Sequence, residues 1–427
     1  MKLNRNGVST SIAAVAVVVV AVIVAAGAYF AFGTTPAQTT TVVSTTTATA
    51  TSTTTSIATS TSVSATTATV TSTSVSTTTK VTSTTTTPPV LINGAGGTLV
   101  APLMSEWTFA YQAVTGGQVN YAAVGSGAGI SQVTANTVDF GESDAPLTAA
   151  QYSALTSGTT LLTIPISDSA VIPAYNLPNI GNGIQFTGAV LAQIFLGTIT
   201  QWNDPALVAL NPTANLPAHA ITVIHRSDSS GTMFAFTDYL SDASATWKTQ
   251  VGKGTAVNWP VGLGCKGNAG VAGCIENTPY SIGPLEIAYQ IQNPTLINYG
   301  SVRNGAGNYV LANLTNIQTA VQAGGTAGLP PGNGVWTSVS IIDNIFNDTK
   351  DATIYPITTF TYALVYLSQT NQQKGSAIVN FIWWIVNTGQ SAGGALGYPP
   401  LPANVVALDD TTLRSVTFNG TPIYTGP

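Results

Sequence analysis

Val90-Leu91-Ile92-Asn93-Gly94-Ala95-Gly96-Gly97-Thr98-Leu99-Val100-Ala101-Pro102 decides the fold. Its three leading apolar residues read as a short buried strand that ends at Gly94. Pro102 suits the first turn of a helix, where a missing N–H costs nothing. An apolar pattern at helical spacing runs on to Val114. Strand, glycine turn and helix in that order form the repeating unit of an α/β fold. Downstream, Gln118 to Val124 reads as a strand, Gly129 to Ala135 as a helix, and Val138 to Gly141 as a short strand. The alternation continues through Leu162 to Ala174 and Ala220 to Leu240. The expectation is an α/β fold with mainly parallel pairing. Phe381 to Val386 is aromatic-rich and helical in context; it is too short to cross a membrane and reads as packing.

Upstream of this stretch the composition changes. Thr34 to Thr87 is almost wholly Ser, Thr, Ala and Val, and Pro88-Pro89 closes it. Such a segment cannot bury enough apolar surface to offset its ordering entropy, so residues 33–89 read as an O-glycosylated stalk. At about 3 Å per residue it would reach on the order of 150 Å. Ile12 to Phe32 is a charge-free apolar run, long enough to cross a hydrocarbon core of about 30 Å. Lys2 and Arg5 precede it, and no charge follows until Lys80. That asymmetry puts residues 1–11 in the cytoplasm, a transmembrane anchor at 12–32, and the remainder outside the cell membrane. A cleaved signal peptide is the alternative, although the run is long and no sharp small-x-small site follows. Arg5-Asn6-Gly7 resembles an archaeal pilin-like signal, whose cleavage would leave the apolar segment on the mature protein.

Only 6 % of the 427 residues are charged, and the formal charge is -5. That balance argues against nucleic acid, which needs a basic footprint. An anion must therefore be held by local donors rather than by the overall field. A neutral polar surface is indifferent to the loss of carboxylate charge, which suits an acidic habitat and predicts a nearly flat stability profile from mildly acidic to neutral pH. Cys265 and Cys274 are the only cysteines. Two ligands alone make no zinc site, and no metal or cofactor is expected. A thiol pair and a disulfide both fit the spacing; the membrane signal favours a disulfide stapling a local loop. Asn313, Asn347 and Asn419 each open an N-glycosylation sequon.

Three turns rich in Gly, Ser and Thr sit where a strand gives way to a helix: Gly94 to Leu99, Gly125 to Gly129, and Ser229 to Thr232. Each offers free backbone N–H groups, a hydroxyl and the positive end of a helix dipole, which together can hold an oxyanion. Taken singly, each turn is more simply an ordinary loop with an N-cap. Arg226 offers a planar fork to two oxygens, with Asp228 placed to orient it, but a surface salt bridge is the plainer role for such a pair. Asp144 is unusual beside an anion, because a carboxylate repels one unless the ligand brings a proton to donate. Its plainer role is an N-cap before Ala145-Pro146.

These motifs resemble, in order, the periplasmic phosphate-binding protein of the high-affinity phosphate ABC transporter. The resemblance is carried by Ile92 to Pro102, Val119-Asn120-Tyr121 with Gly125-Ser126, and Ala135-Asn136-Thr137-Val138-Asp139-Phe140-Gly141-Glu142-Ser143-Asp144-Ala145-Pro146-Leu147. Arg226 to Thr232, Trp259-Pro260-Val261-Gly262-Leu263-Gly264 and Tyr355-Pro356-Ile357-Thr358 extend it, so that it covers residues 90 to 427. The anchor and stalk lie outside it and suggest an archaeal-type form.

The resemblance implies a two-lobed periplasmic-binding-protein fold of type II, a Venus flytrap with the ligand in the interlobe cleft. Lobe I would be 90–165 with 350–427, and lobe II 166–349. The implied phosphate ligands are Thr98, Leu99 (through its backbone N–H), Ser126 and Asp144 from lobe I, with Arg226, Ser230, Gly231 and Thr232 from lobe II. Leu99 stands where an aromatic is usual, and Gly127 where Ser is common. Asp144 would accept a hydrogen bond from the P–O–H of phosphate and repel sulfate, which has none. An unpaired buried acceptor costs about 1–3 kcal/mol, more when charged, which is enough to reject sulfate by about tenfold or more. The implied partners are inorganic phosphate and an ABC permease with its ATPase subunit, and no enzymatic activity is implied.

Rival readings are weaker. Gly262 to Gly267 fits G-x-G-x-x-G with Glu286 at a dinucleotide-like distance, but no clear βαβ context supports it. His225 beside Arg226 could suggest an acid–base pair for a hydrolase, yet neighbouring strand residues point to opposite faces. A site for sulfate, molybdate or tungstate would use similar helix starts. A stalked adhesin would leave Arg226 and Asp144 without a joint purpose.

Overall fold

The computed structural model describes residues 89–326 and 328–424. The anchor and almost all of the stalk lie outside these residues. Among the described residues no helix is long and apolar enough to cross a membrane.

The opening stretch forms strand β1 (Leu91–Gly96) and helix α1 (Ala101–Thr115), with Pro102 in the first turn. β2 (Gln118–Ala123), α2 (Ser126–Thr134) and β3 (Phe140–Ser143) follow. β4 (Leu161–Asn176) is a 16-residue strand that leaves this half. The second half contributes β5 (Thr222–Arg226), α3 (Gly231–Ala243), β6 (Leu263–Cys265), α4 (Gly267–Glu276), β7 (Ser281–Glu286) and α5 (Ile287–Gln292). β8 (Thr358–Tyr366) returns, and α6 (Gln372–Val386) and α7 (Ala403–Arg414) close the first half.

One sheet runs through both halves in the order β2-β1-β3-β8-β4-β7-β5-β6. β1 pairs in parallel with β2 and β3, and β5 pairs in parallel with β6 and β7. The centre is antiparallel: β8 pairs with β3 and β4, and β4 with β7. The expectation of mainly parallel pairing therefore holds inside each half and fails at the join. The physical reason is that the outgoing strand β4 and the returning strand β8 must run in opposite directions.

The core is mostly aliphatic and aromatic, with a few ionisable side chains buried among them. Trp107 on α1 is fully buried and its indole N–H donates to the Gly389 carbonyl at 2.8 Å. Phe381 on α6 meets Tyr111 edge-on at 5.0 Å, so the aromatic run is packing. Each such fully buried side chain contributes about 1.5–3 kcal/mol.

Candidate functional site

The parallel strands of each half deliver their carboxyl ends to the same region, where open α/β sheets hold ligands. Thr98 and Leu99 follow β1, Ser126 opens α2, and Asp144 follows β3. From the other side, Arg226 ends β5, Ser230 caps α3, Gly231 and Thr232 begin it, and α4 begins just beyond β6. α2 starts three residues earlier than its periodicity predicts, with Gly125 as its cap at φ 97°. A side chain there would also strike Asp228, since an added Cβ falls 2.7 Å from Oδ2.

Asp144 is 1 % exposed and accepts hydrogen bonds from Thr361 Oγ1 at 2.9 Å and Ser126 Oγ at 3.1 Å. No helix begins at Ala145, so the N-cap role does not apply. Burial pushes its carboxyl up, against the pull of donors from Glu142, Thr361 and Ser126 and of the Arg226 charge. The Ser126 hydroxyl also accepts from the backbone N–H of Asp144 at 3.2 Å and of Gly231 at 3.1 Å, which links the two halves.

Arg226 is 3 % exposed, so its pairing is no surface bridge. Its Nε and Nη2 donate to the two oxygens of Asp228 at 2.7 Å and 2.6 Å. Nη1 is buried with no acceptor among the described residues. Burial alone would raise Asp228, but the two bonds and the charge of Arg226 hold it below the usual carboxylate range. The pair is a fixed fork with one free tine. His225 is turned away: its ring stacks on Trp259 at 4.8 Å.

The Thr98 hydroxyl accepts from both the backbone N–H and Nδ2 of Asn268, each at 3.0 Å. Nδ2 of Asn268 also donates to Thr232 Oγ1 at 2.9 Å. One fully buried amide thus holds a hydroxyl from each half. Because both oxygens are occupied as acceptors, each hydroxyl proton is left free to be donated elsewhere. Asn268 lies at the start of α4, immediately after the G-x-G-x-x-G string. The string shows no clear βαβ context in the sequence, yet it folds as a short strand followed by a helix start. Gly267 N–H donates to Asp228 Oδ1 at 3.1 Å, so the same turn also steadies the Arg226 partner.

Leu99 puts its side chain into the core and its carbonyl accepts from Tyr398 at 2.7 Å, leaving only backbone to face the site. The Thr98 carbonyl accepts from Tyr289 at 2.7 Å. The Ser230 hydroxyl caps α3 by accepting from Met233 N–H at 3.3 Å, while its own N–H is spent on the Thr255 carbonyl at 2.8 Å. Gly127 is explained by its neighbour: a side chain there would collide with Ser229, which reaches in from the other half.

Cys265 and Cys274 form a disulfide that ties the end of β6 to the body of α4. Asn313, Asn347 and Asn419 are all exposed and lie away from these residues in sequence; Asn313 also caps a helix by accepting from Asn316 N–H at 2.9 Å.

A family model described as a PBP superfamily domain matches residues 33–388. A phosphate-binding protein PstS of Xylella fastidiosa is 38 % identical over 329 residues, which cover 75 % of this chain and 86 % of that protein. A second PstS, from Haemophilus influenzae, is 39 % identical over 317 residues, with 74 % and 90 % covered. Among solved structures, a human phosphate binding apolipoprotein is similar at a TM-score of 0.59 and 19 % identity, covering 78 % of this chain and 99 % of that one. That last likeness concerns the fold. The two-lobed architecture, the order of the motifs and the sequence identity agree: this chain belongs to the PBP superfamily and, within it, to the PstS family of substrate-binding proteins.

Proposed function

We propose that this chain captures inorganic phosphate outside the cytoplasm and hands it to an ABC permease driven by an ATPase subunit. It is a binding protein, with no reaction of its own. The observation that carries the reading is the pairing of a buried, pre-oriented Arg226, whose Nη1 lacks a protein acceptor, with a buried carboxylate at Asp144. A cationic fork alone suits any oxyanion; the added carboxylate suits one that still carries a proton. Thr98, the backbone N–H of Leu99, Ser126, Ser230 and Thr232 would supply further donors, the Gly231 N–H would join them by exchanging its Ser126 acceptor for the anion, and Asp228 would orient Arg226. Lobe I is 90–165 with 350–427 and lobe II is 166–349, and the ligand closes them because only the closed state satisfies donors from both. An anchor at 12–32 and a stalk at 33–89 would hold the lobes outside the cell membrane, with glycans at Asn313, Asn347 and Asn419, in an archaeal host. Support for these finer points comes from the apolar run, its flanking charges, the pilin-like signal and the exposure of the three asparagines.

Calorimetric titration tests the reading. Phosphate should bind, sulfate at least about tenfold more weakly, and Asp144→Asn should narrow that gap. Equal binding of the two anions by the wild type would sink it, and preferential binding of molybdate or tungstate would assign the site to another oxyanion.

A further inference from the structure

Glu142 lies one residue inside β3 from the Ser143–Asp144 turn, is fully buried, and has no part in the binding set above. Its Oε2 accepts from Gly97 N–H and from the Tyr121 hydroxyl, the latter at 2.7 Å. Its Oε1 has no donor among the described residues. The two carboxyl groups converge on one glycine: a Cβ at Gly97 would lie 2.6 Å from Asp144 Oδ2 and 2.7 Å from Glu142 Oε2. Glu142 Oε2 and Asp144 Oδ2 thus crowd the same side of Gly97. Two ionised carboxylates this close are strongly disfavoured in a site closed to water, so one of them carries a proton.

Hydrogen-bond accounting says which. Oε2 of Glu142 receives the Gly97 N–H and lies against the Tyr121 hydroxyl, which also reaches the Gly97 carbonyl at 2.9 Å, whereas Oε1 receives no donor. A proton on Oε1 relieves the cost of a buried carboxylate oxygen that no donor reaches. Asp144, with Thr361, Ser126 and the Arg226 charge around it, is the better stabilised anion of the two. Other titratable groups facing the pair are Tyr121 from β2 and, more distantly, Tyr289 from α5 and Glu286 at the end of β7. None of these supplies a second positive charge. Burial and the Asp144 charge both push Glu142 up, in keeping with a retained proton.

We propose that Glu142 is a specificity-determining residue of the anion site, a neutral carboxylic acid whose retained proton leaves its neighbour Asp144 as the one ionised carboxylate facing the ligand. The inference rests on the phosphate reading. Neutral Glu142 leaves the site with one negative charge, which a proton on phosphate satisfies. Loss of the Glu142 proton to solvent at alkaline pH leaves two carboxylates against the anion, so binding there must first take a proton back from the buffer.

The test is phosphate titration at about pH 6 and about pH 9, on wild type and Glu142→Gln, which keeps a donor and an acceptor but cannot ionise. The wild-type Kd should rise between the two pH values by more than that of Glu142→Gln, by up to about tenfold for each pH unit above the point where Glu142 ionises. The ligand's own ionisation is common to both proteins and cancels. Wild type at about pH 9 should also take up a fraction of a proton on binding, read as a dependence of the heat on buffer ionisation enthalpy. Equal Kd ratios, or no proton uptake, would overturn the proposal. If Glu142→Gln does not fold, the uptake by wild type alone decides. If no phosphate binds at either pH, the phosphate reading fails by itself. The proton is then judged from the ligand-free infrared difference spectrum at neutral pH, where Glu142→Gln should lose one component of the protonated-carboxyl absorption while those of Glu286, Asp168 and Asp409 remain; an unchanged absorption would refute the assignment.

Discussion

The backbone nitrogen of Gly231 donates to the Ser126 hydroxyl at 3.1 Å, and in this approach a Cβ on Gly231 would sit 2.7 Å from Asp144 Cα. The two lobes meet here backbone to backbone, at a separation that no side chain allows. Gly231→Ala should therefore hold them apart. Overpacking of this kind costs about 1–3 kcal/mol, so phosphate affinity should fall about ten- to hundredfold. Thermal stability without ligand should change little, because the strain is confined to the closed state. Titration against both proteins checks this, and an unchanged Kd would mean that closure does not pass through this contact.

Asn268 makes the second bridge, through Thr98 and Thr232. Asn268→Ala removes a buried amide, leaves the Thr232 hydroxyl oxygen without its donor and leaves that of Thr98 with the backbone N–H alone. A loss of about 1–3 kcal/mol, or about ten- to hundredfold in phosphate affinity, is expected. Asn268→Asp is the sharper variant, because it keeps the shape and reverses the donor. It should bind worse than Asn268→Ala if the amide acts by leaving hydroxyl protons free for an anion. Titration of both variants ranks them.

Buried carboxyls set the dependence of stability on pH. Burial raises Glu286 to about 8, although Ser169 donates to it at 2.7 Å. Asp168 and Asp409 are also fully buried and pushed well up, with no donor to either oxygen among the described residues. A raised carboxyl holds its proton in the folded chain and loses it in the unfolded one. The stability it contributes is full below the unfolded pKa and is lost as pH rises through the folded one. For Glu286 the window ends at about 8. The melting temperature should therefore rise as pH is lowered from about 8 to about 5, and Glu286→Gln should flatten the slope. Scanning calorimetry across that range decides, and a melting temperature that falls on acidification would show that other groups dominate. This revises the flat profile suggested by composition, which considers only the surface.

The strand–glycine–helix unit at β1 was legible because its signals are local: apolar run, glycines, proline. Asp144 and Arg226 were legible through the strings around them. The roles of Asn268 and Glu142 were not, because each depends on residues far away in the chain. Asn268 meets Thr98 from 170 positions away, and Glu142 meets Gly97 from 45. Glu142 stood in plain view inside a quoted motif, but only its burial and its bare Oε1 give it a role. The buried carboxylates show the same limit: a chain with few charges reads as having charge nowhere important, and several of these few are in its interior.

Ala170 on β4 and Thr358 on β8 are cross-strand partners. Everything from 171 to 357 is thus an excursion that departs and returns at neighbouring points. In genetic terms it is a cassette. Exchanging it for the equivalent span of a relative would replace Arg226, Gly231 and Asn268 together while leaving Thr98, Ser126 and Asp144 in their own framework, so anion selectivity in this architecture can be inherited, or engineered, by halves.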